Sequence, residues 1–110
     1  MDISIARAAH KELSRLPKGA QEKIVSALEK LADDPRPRGL EKIRGRPDYF
    51  RIRAGGYRII YHIFQEAVII ILVVRDRKHA YDKVVLEGLD ARRRQIIETD
   101  PKVIRLVSRS

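Results

Sequence analysis

An α+β domain is the fold class that this 110-residue sequence predicts. Two segments with helical apolar spacing come first, a strand-turn-strand unit with period-two alternation follows, and a nearly continuous apolar run comes after that. The first short element is a strand, because Ile3 and Ile5 alternate with polar residues. Ala9, Leu13 and Leu16 then recur at spacings of four and three, one face of a helix that must stop at Pro17. A second helix is predicted from 17 or 18 to 32, with Ala20, Ile24, Ala27, Leu28 and Leu31 as its apolar stripe and Asp33-Asp34-Pro35 as its end. Both stripes need a sheet to cover. Residues 36–47, rich in proline, glycine and charge, read as a loop.

The stretch 48–61, DYFRIRAGGYRIIY, carries the most information. Side chains alternate between the faces of a strand, so Phe50 and Ile52 point one way while Arg51 and Arg53 point the other. After a Gly55-Gly56 turn, Tyr57, Ile59, Tyr61 and Ile63 share one face, and Arg58, Ile60, His62 and Phe64 the other. Tyr57 and Tyr61 are expected in the core beside Ile59. A hairpin of this kind brings Arg51, Arg53 and Arg58 onto one surface, where they ask for an anion. The run 67–74 is apolar at nearly every position and reads as a central third strand with both faces at least partly covered.

Composition bounds the partners. The net charge of +9 and pI near 10.3 produce a field attractive to polyanions: nucleic acid, anionic membrane or acidic protein. The surplus concentrates in the middle of the chain, where residues 41–83 hold 10 basic and 5 acidic side chains. The absence of cysteine excludes disulfides and thiolate metal sites and agrees with a reducing compartment. No carboxylate pair or histidine cluster has metal-ligand spacing, and Gly55-Gly56 is a turn, not a phosphate loop. No cofactor is expected. The run 68–74 is far too short to span a bilayer, and the N-terminus lacks the pattern of a secretory signal, so a soluble cytoplasmic protein without membrane contact is expected.

The LP-containing helical hairpin, LEKIRGRPDYFRIRAGGYRIIYHI and the basic RDRKHAY together resemble the RelE family of toxins from type II toxin-antitoxin pairs, within the RelE/ParE superfamily. The resemblance covers 1–83. It implies a RelE-like microdomain, a helical hairpin packed on one face of a small, mainly antiparallel sheet, whose basic face receives messenger RNA in the ribosomal A site. It also implies metal-independent RNA cleavage, with translation inhibited until a cognate antitoxin binds. By position, Arg51 and Arg53 match two basic residues of the family's second strand and Arg58 its GYR arginine. Arg75 matches a basic residue near the end of the last strand, and Tyr81 the C-terminal tyrosine. The implied roles are a phosphate clamp for the arginines and base stacking or nucleophile positioning for Tyr81.

One departure bears on mechanism. The best-known members carry lysines where this chain has Arg51 and Arg53, and one of those lysines is assigned to proton abstraction. A guanidinium stays protonated, so neither arginine is a convincing base. His79 is the first alternative and His62, of like parity to Arg58, the second. The implied function is a ribosome-dependent mRNA endonuclease toxin; the competing readings are a ParE-like gyrase poison and a degenerate antitoxin-binding module. Each site residue also has a purely structural reading: a solvated sheet face for the arginines, an edge cover for Tyr81, an ordinary surface histidine for His79.

Residues 84–110 extend past the resemblance. Leu86, Leu89, Ile96 and Ile97 predict a helix over 90–98, and Asp100-Pro101 opens a further short apolar segment with Val103, Ile104, Leu106 and Val107. This C-terminal helical extension of the same domain is too apolar for a tail. It can cover the sheet, mediate self-association or serve the antitoxin.

Overall fold

The computed structural model describes residues 2–43, 45, 48–65 and 67–75, together with the backbone of 96–97. The chain runs β1 (Asp2–Ala6), α1 (Arg7–Ser14), α2 (Lys18–Asp33), β2 (Glu41–Lys42), β3 (Tyr49–Ala54), β4 (Tyr57–Phe64), β5 (Ala67–Arg75) and β6 (Ile96–Ile97). The strands form one sheet in the order β2-β3-β4-β5-β1-β6. All neighbours are antiparallel except β1 and β5, which run parallel with Ile3 beside Val68 and Ile5 beside Ile70. The α+β class and the mainly antiparallel sheet agree with the sequence. The parallel pair arises because the helical hairpin between β1 and β2 lets the first strand come down beside the last long one.

The helical hairpin is closed by a buried amide. Proline at 17 ends α1 and leaves its last carbonyls without helical donors. Gln21, 1% exposed on the first turn of α2, donates from Nε2 to the carbonyls of Ser14 at 3.1 Å and Leu16 at 3.0 Å. The buried face of α2 is Gln21, Ile24, Val25, Leu28 and Leu31. It is rotated slightly from the expected stripe, since Ala20 and Ala27 are only partly buried. Small alanines at the border let the hairpin approach, while Val25 and Gln21 fill the interior.

Two apolar clusters flank the sheet. The larger joins Ala9, Leu13, Ile24, Leu28 and Leu31 of the helices to Ile5, Phe50, Ile59, Tyr61, Val68 and Ile70 of the strands. The smaller, on the other face, contains Ile43, Tyr49, Ile60, Ile69, Ile71 and Leu72. Strand β5 is thus buried on both sides, as its unbroken apolar run predicts. A bulge between Ile60 and Tyr61 shifts the β4–β5 register, so that Ile60 faces Leu72 and Tyr61 faces Ile70. Pairing with β1 stops at Ile70, and farther along the same strand the Val73 N–H donates instead to Glu12 Oε1 of α1 at 3.2 Å. The Gly55-Gly56 turn has φ +61° at Gly55, the positive first position of a type II′ hairpin turn.

Two expectations are corrected. The stretch 36–47, read as a loop, contains the two-residue strand β2, which pairs along the edge of β3. Ile96 and Ile97, placed by their apolar spacing in a helix over 90–98, form a two-residue strand antiparallel to Ala6 and Ile5. Two adjacent β-branched residues suit a strand at least as well as a helix. The outer edge of β1 has backbone donors and acceptors that need partners, and these residues supply them. The rest of that expected helix, and the segment after Asp100-Pro101, lie outside the described residues.

Candidate functional site

The alternation of β3 and β4 divides their side chains between the two faces of the sheet. Phe50, Ile59 and Tyr61 enter the helix-side core, with Ile52 and Tyr57 packed against it. Arg51, Arg53 and Arg58 are left on the opposite face. In register, Arg53 lies directly across from Arg58, Arg51 across from Ile60, and Tyr49 across from His62. Like charges directly opposite each other repel, so the Arg53–Arg58 pair favours an anion nearby.

The fold supplies one from its own chain. Glu41 in β2 pairs across from Arg51. Its Oε2 accepts from Arg51 Nε at 3.2 Å and Nη2 at 2.8 Å, and its Oε1 accepts from Arg58 Nη1 at 3.0 Å. The carboxylate spans two arginines on adjacent strands, in a forked arrangement that a phosphate also fits. Hydrogen bonds from Arg51, then from Arg58, hold the Glu41 carboxyl below its ordinary value. The site is open to solvent: the Glu41 side chain is 49% exposed, against 29% for Arg51 and 16% for Arg58.

The other expected site residues fare differently. Arg75 ends β5 opposite Tyr57, and its guanidinium carbon lies 5.9 Å from the centre of that ring. Tyr57 belongs to the helix side, so Arg75 reaches the end of the sheet from the other face and is not brought into register with Arg51 and Arg58. The shared face expected for Arg51, Arg53 and Arg58 is thus present, while Arg75, matched to the clamp by the resemblance, lies on the other face. His62 has the expected parity, yet it is 5% exposed and packed between Tyr49, 4.6 Å away, and Phe64, 6.1 Å away. It is a packed ring, poorly placed to meet a substrate. His79 and Tyr81 lie outside the described residues, as do Arg77 and Lys78.

Sequence reasoning missed Glu41. Its only local signal is an acidic residue in a basic stretch, two positions before Ile43. Its partners are 10 and 17 residues away, and that pairing depends on where the loop after β2 returns.

A groove of about 370 Å³ is bounded by α2, the loop at 37–39 and the end of β3. Lys23 and Lys30 of α2, Arg38 and Arg53 line it above Leu31 and Ile52. Among the described residues, no group of three or more histidines and carboxylates could hold a metal ion. Likewise, no helix among them is long and apolar enough to cross a membrane.

Comparison with known proteins agrees with this architecture. A family model for the ParE toxin of type II toxin-antitoxin systems matches residues 3–81. A putative RelE-like toxin protein of Escherichia coli is 34% identical over 85 residues, spanning 73% of this chain and 88% of that protein. Among solved structures, a free-state arginine-to-alanine double mutant of the E. coli toxin RelE superposes with a TM-score of 0.65 at 27% identity, covering 83% of this chain and 95% of that one. A chain of the archaeal RelE–RelB complex from Pyrococcus horikoshii superposes with a TM-score of 0.63 at 25% identity, covering 70% of this chain and 96% of that one. With a family match over most of its length and relatives that carry the RelE name, the chain belongs to the RelE family of toxins of type II toxin-antitoxin systems, within the RelE/ParE superfamily.

Proposed function

We propose that this toxin is a ribosome-dependent mRNA endonuclease that cuts in the A site, and that a cognate antitoxin neutralises it in the cytoplasm. The observation that carries this reading is the Arg51–Glu41–Arg58 arrangement, two guanidiniums on adjacent strands converging on one anion, with Arg53 beside them. In the proposed reaction the 2′-oxygen forms a bond to the adjacent phosphorus and gives up its proton. The bond to the 5′-oxygen breaks, and that oxygen takes a proton as it leaves. The products are a 2′,3′-cyclic phosphate and a 5′-OH end. Arg51 and Arg58 supply donors to the non-bridging oxygens as charge grows on them, the electrostatic part of catalysis. Arginine only donates, so the proton from the 2′-OH goes to another group, and His79 is the residue assigned here. The RelE of Pyrococcus horikoshii was solved with its RelB partner, which supports an antitoxin for this chain too. Such a partner would bring carboxylates to the same arginines.

The test is a programmed ribosome scored for A-site cleavage. Wild type should leave a cyclic phosphate on the upstream fragment, and Arg58→Ala should slow the cut by about 10²-fold. Substituting His79 should remove an ascending limb of the pH-rate profile near neutrality. Intact mRNA together with gyrase trapped in DNA cleavage would overturn the reading in favour of a ParE-like poison.

A further inference from the structure

The carboxylate in the clamp is the feature that RNA cleavage alone does not explain. β2 is a two-residue edge strand with both residues exposed, so its pairing with β3 does not require an acid at 41. The chain carries a surplus of nine positive charges, and yet this acid faces the strand pair where three arginines meet. Its two oxygens take donors from Arg51 and Arg58 as the two non-bridging oxygens of a phosphodiester would.

We infer that Glu41 is a specificity gate, an internal stand-in for phosphate that a substrate must displace, so that the clamp discriminates against free RNA and accepts RNA held in place by other contacts. The inference rests on the reading of Arg51 and Arg58 as a phosphate clamp. A phosphodiester and a carboxylate each carry one negative charge, so exchanging them leaves the local charge balance unchanged. A free strand therefore gains little from these two arginines. A strand presented by a ribosome arrives at high effective concentration, and the exchange then costs it little. Glu41 is better suited to this role than to that of a base, because both of its oxygens already accept from guanidiniums.

The test uses the full chain and a fluorescent single-stranded RNA carrying 2′-O-methyl groups throughout, so that binding is read without cleavage. Glu41→Gln keeps the shape and removes the charge. It should tighten binding by about three- to tenfold and steepen the dependence of log K on log salt by about 0.7 to 1.4, the return of one to two phosphate contacts. In an Arg58→Ala background the same substitution should gain far less. A tightening of equal size in both backgrounds would mean a mere change of net charge and would overturn the gate. No tightening, with Arg58→Ala still weakening the complex, would overturn the gate and leave the clamp standing. RNA binding indifferent to both substitutions would remove the clamp and the gate together. Thermal melts of each variant exclude misfolding as the cause, and Glu41→Asp, a shorter acid that reaches Arg58 less well, should fall between wild type and Glu41→Gln.

Discussion

The two faces of β3 and β4 are made by the same residues in alternation, yet they serve different ends. On the helix side, Phe50, Ile59 and Tyr61 interlock with Leu28 and Leu31, and the one polar handle among them is tied down: the Tyr61 hydroxyl donates to the Pro35 carbonyl at 2.7 Å. On the far side, Ile60 is fully buried, but the neighbouring strand positions carry arginines that converge on a single carboxylate. One face gathers stability, and the other stores charge in a geometry that apolar packing does not require. Alternation keeps the two from interfering, because a change on one face leaves the other in register.

The sharpest way to break this comparison is to cut into the helix side. Leu28→Ala removes a fully buried side chain from the middle of α2 and should cost about 2 to 5 kcal/mol in urea or thermal unfolding. Arg58→Ala should cost no more than about 1 kcal/mol while slowing the proposed cleavage by about 10²-fold. If both variants unfold alike, the division of labour between the faces is wrong. Gln21→Ala should come next, at about 1 to 3 kcal/mol, since it strands two carbonyls at the end of α1. Native-state hydrogen exchange should place its effect in the helical hairpin.

Tyr61→Phe loses a single hydrogen bond and should cost about 0.5 to 1.5 kcal/mol. Burial, more than any nearby charge, pushes the Tyr61 hydroxyl well above its ordinary value. In a spectrophotometric titration it should accordingly ionise late, and the variant should lack that late step. The smallest effect belongs to the far side. Glu41 is held below its ordinary 4.5 by Arg51 from β3 and Arg58 from β4. A carboxyl whose folded value is depressed stabilises the fold above its unfolded value, and the contribution disappears as pH falls through the lower, folded value. A carboxyl-resolved NMR titration should therefore find Glu41 protonating after it would in an unfolded chain, with a midpoint below 4.5. In Arg51→Ala that midpoint should move back up.

Much of this molecule was legible along the chain because its signals are local. The period of α2 and the proline before it, the alternation through 49–64, the two glycines and the apolar run of β5 each need only a few neighbours to be interpreted. The candidate site was legible by half. Arg51, Arg53 and Arg58 share a face because two short strands and a tight turn leave no other choice. The face that Arg75 takes was not legible, because its strand is joined to β4 through a bulge, and a single extra residue exchanges the faces downstream of it. His62 has the correct parity, but its burial by Tyr49 and Phe64 depends on packing that parity does not reveal.

By itself, then, the order of residues determined an α+β domain, a helical hairpin, a three-stranded meander and a cationic face on β3 and β4. Tertiary structure alone decided that β1 inserts parallel to β5, that Ile96 and Ile97 close its outer edge, and that Glu41 sits between Arg51 and Arg58. The physical reason is range. Alternation and helical period act over a few residues, whereas a strand finds its edge, and a carboxylate its two arginines, only after loops of undetermined path have closed.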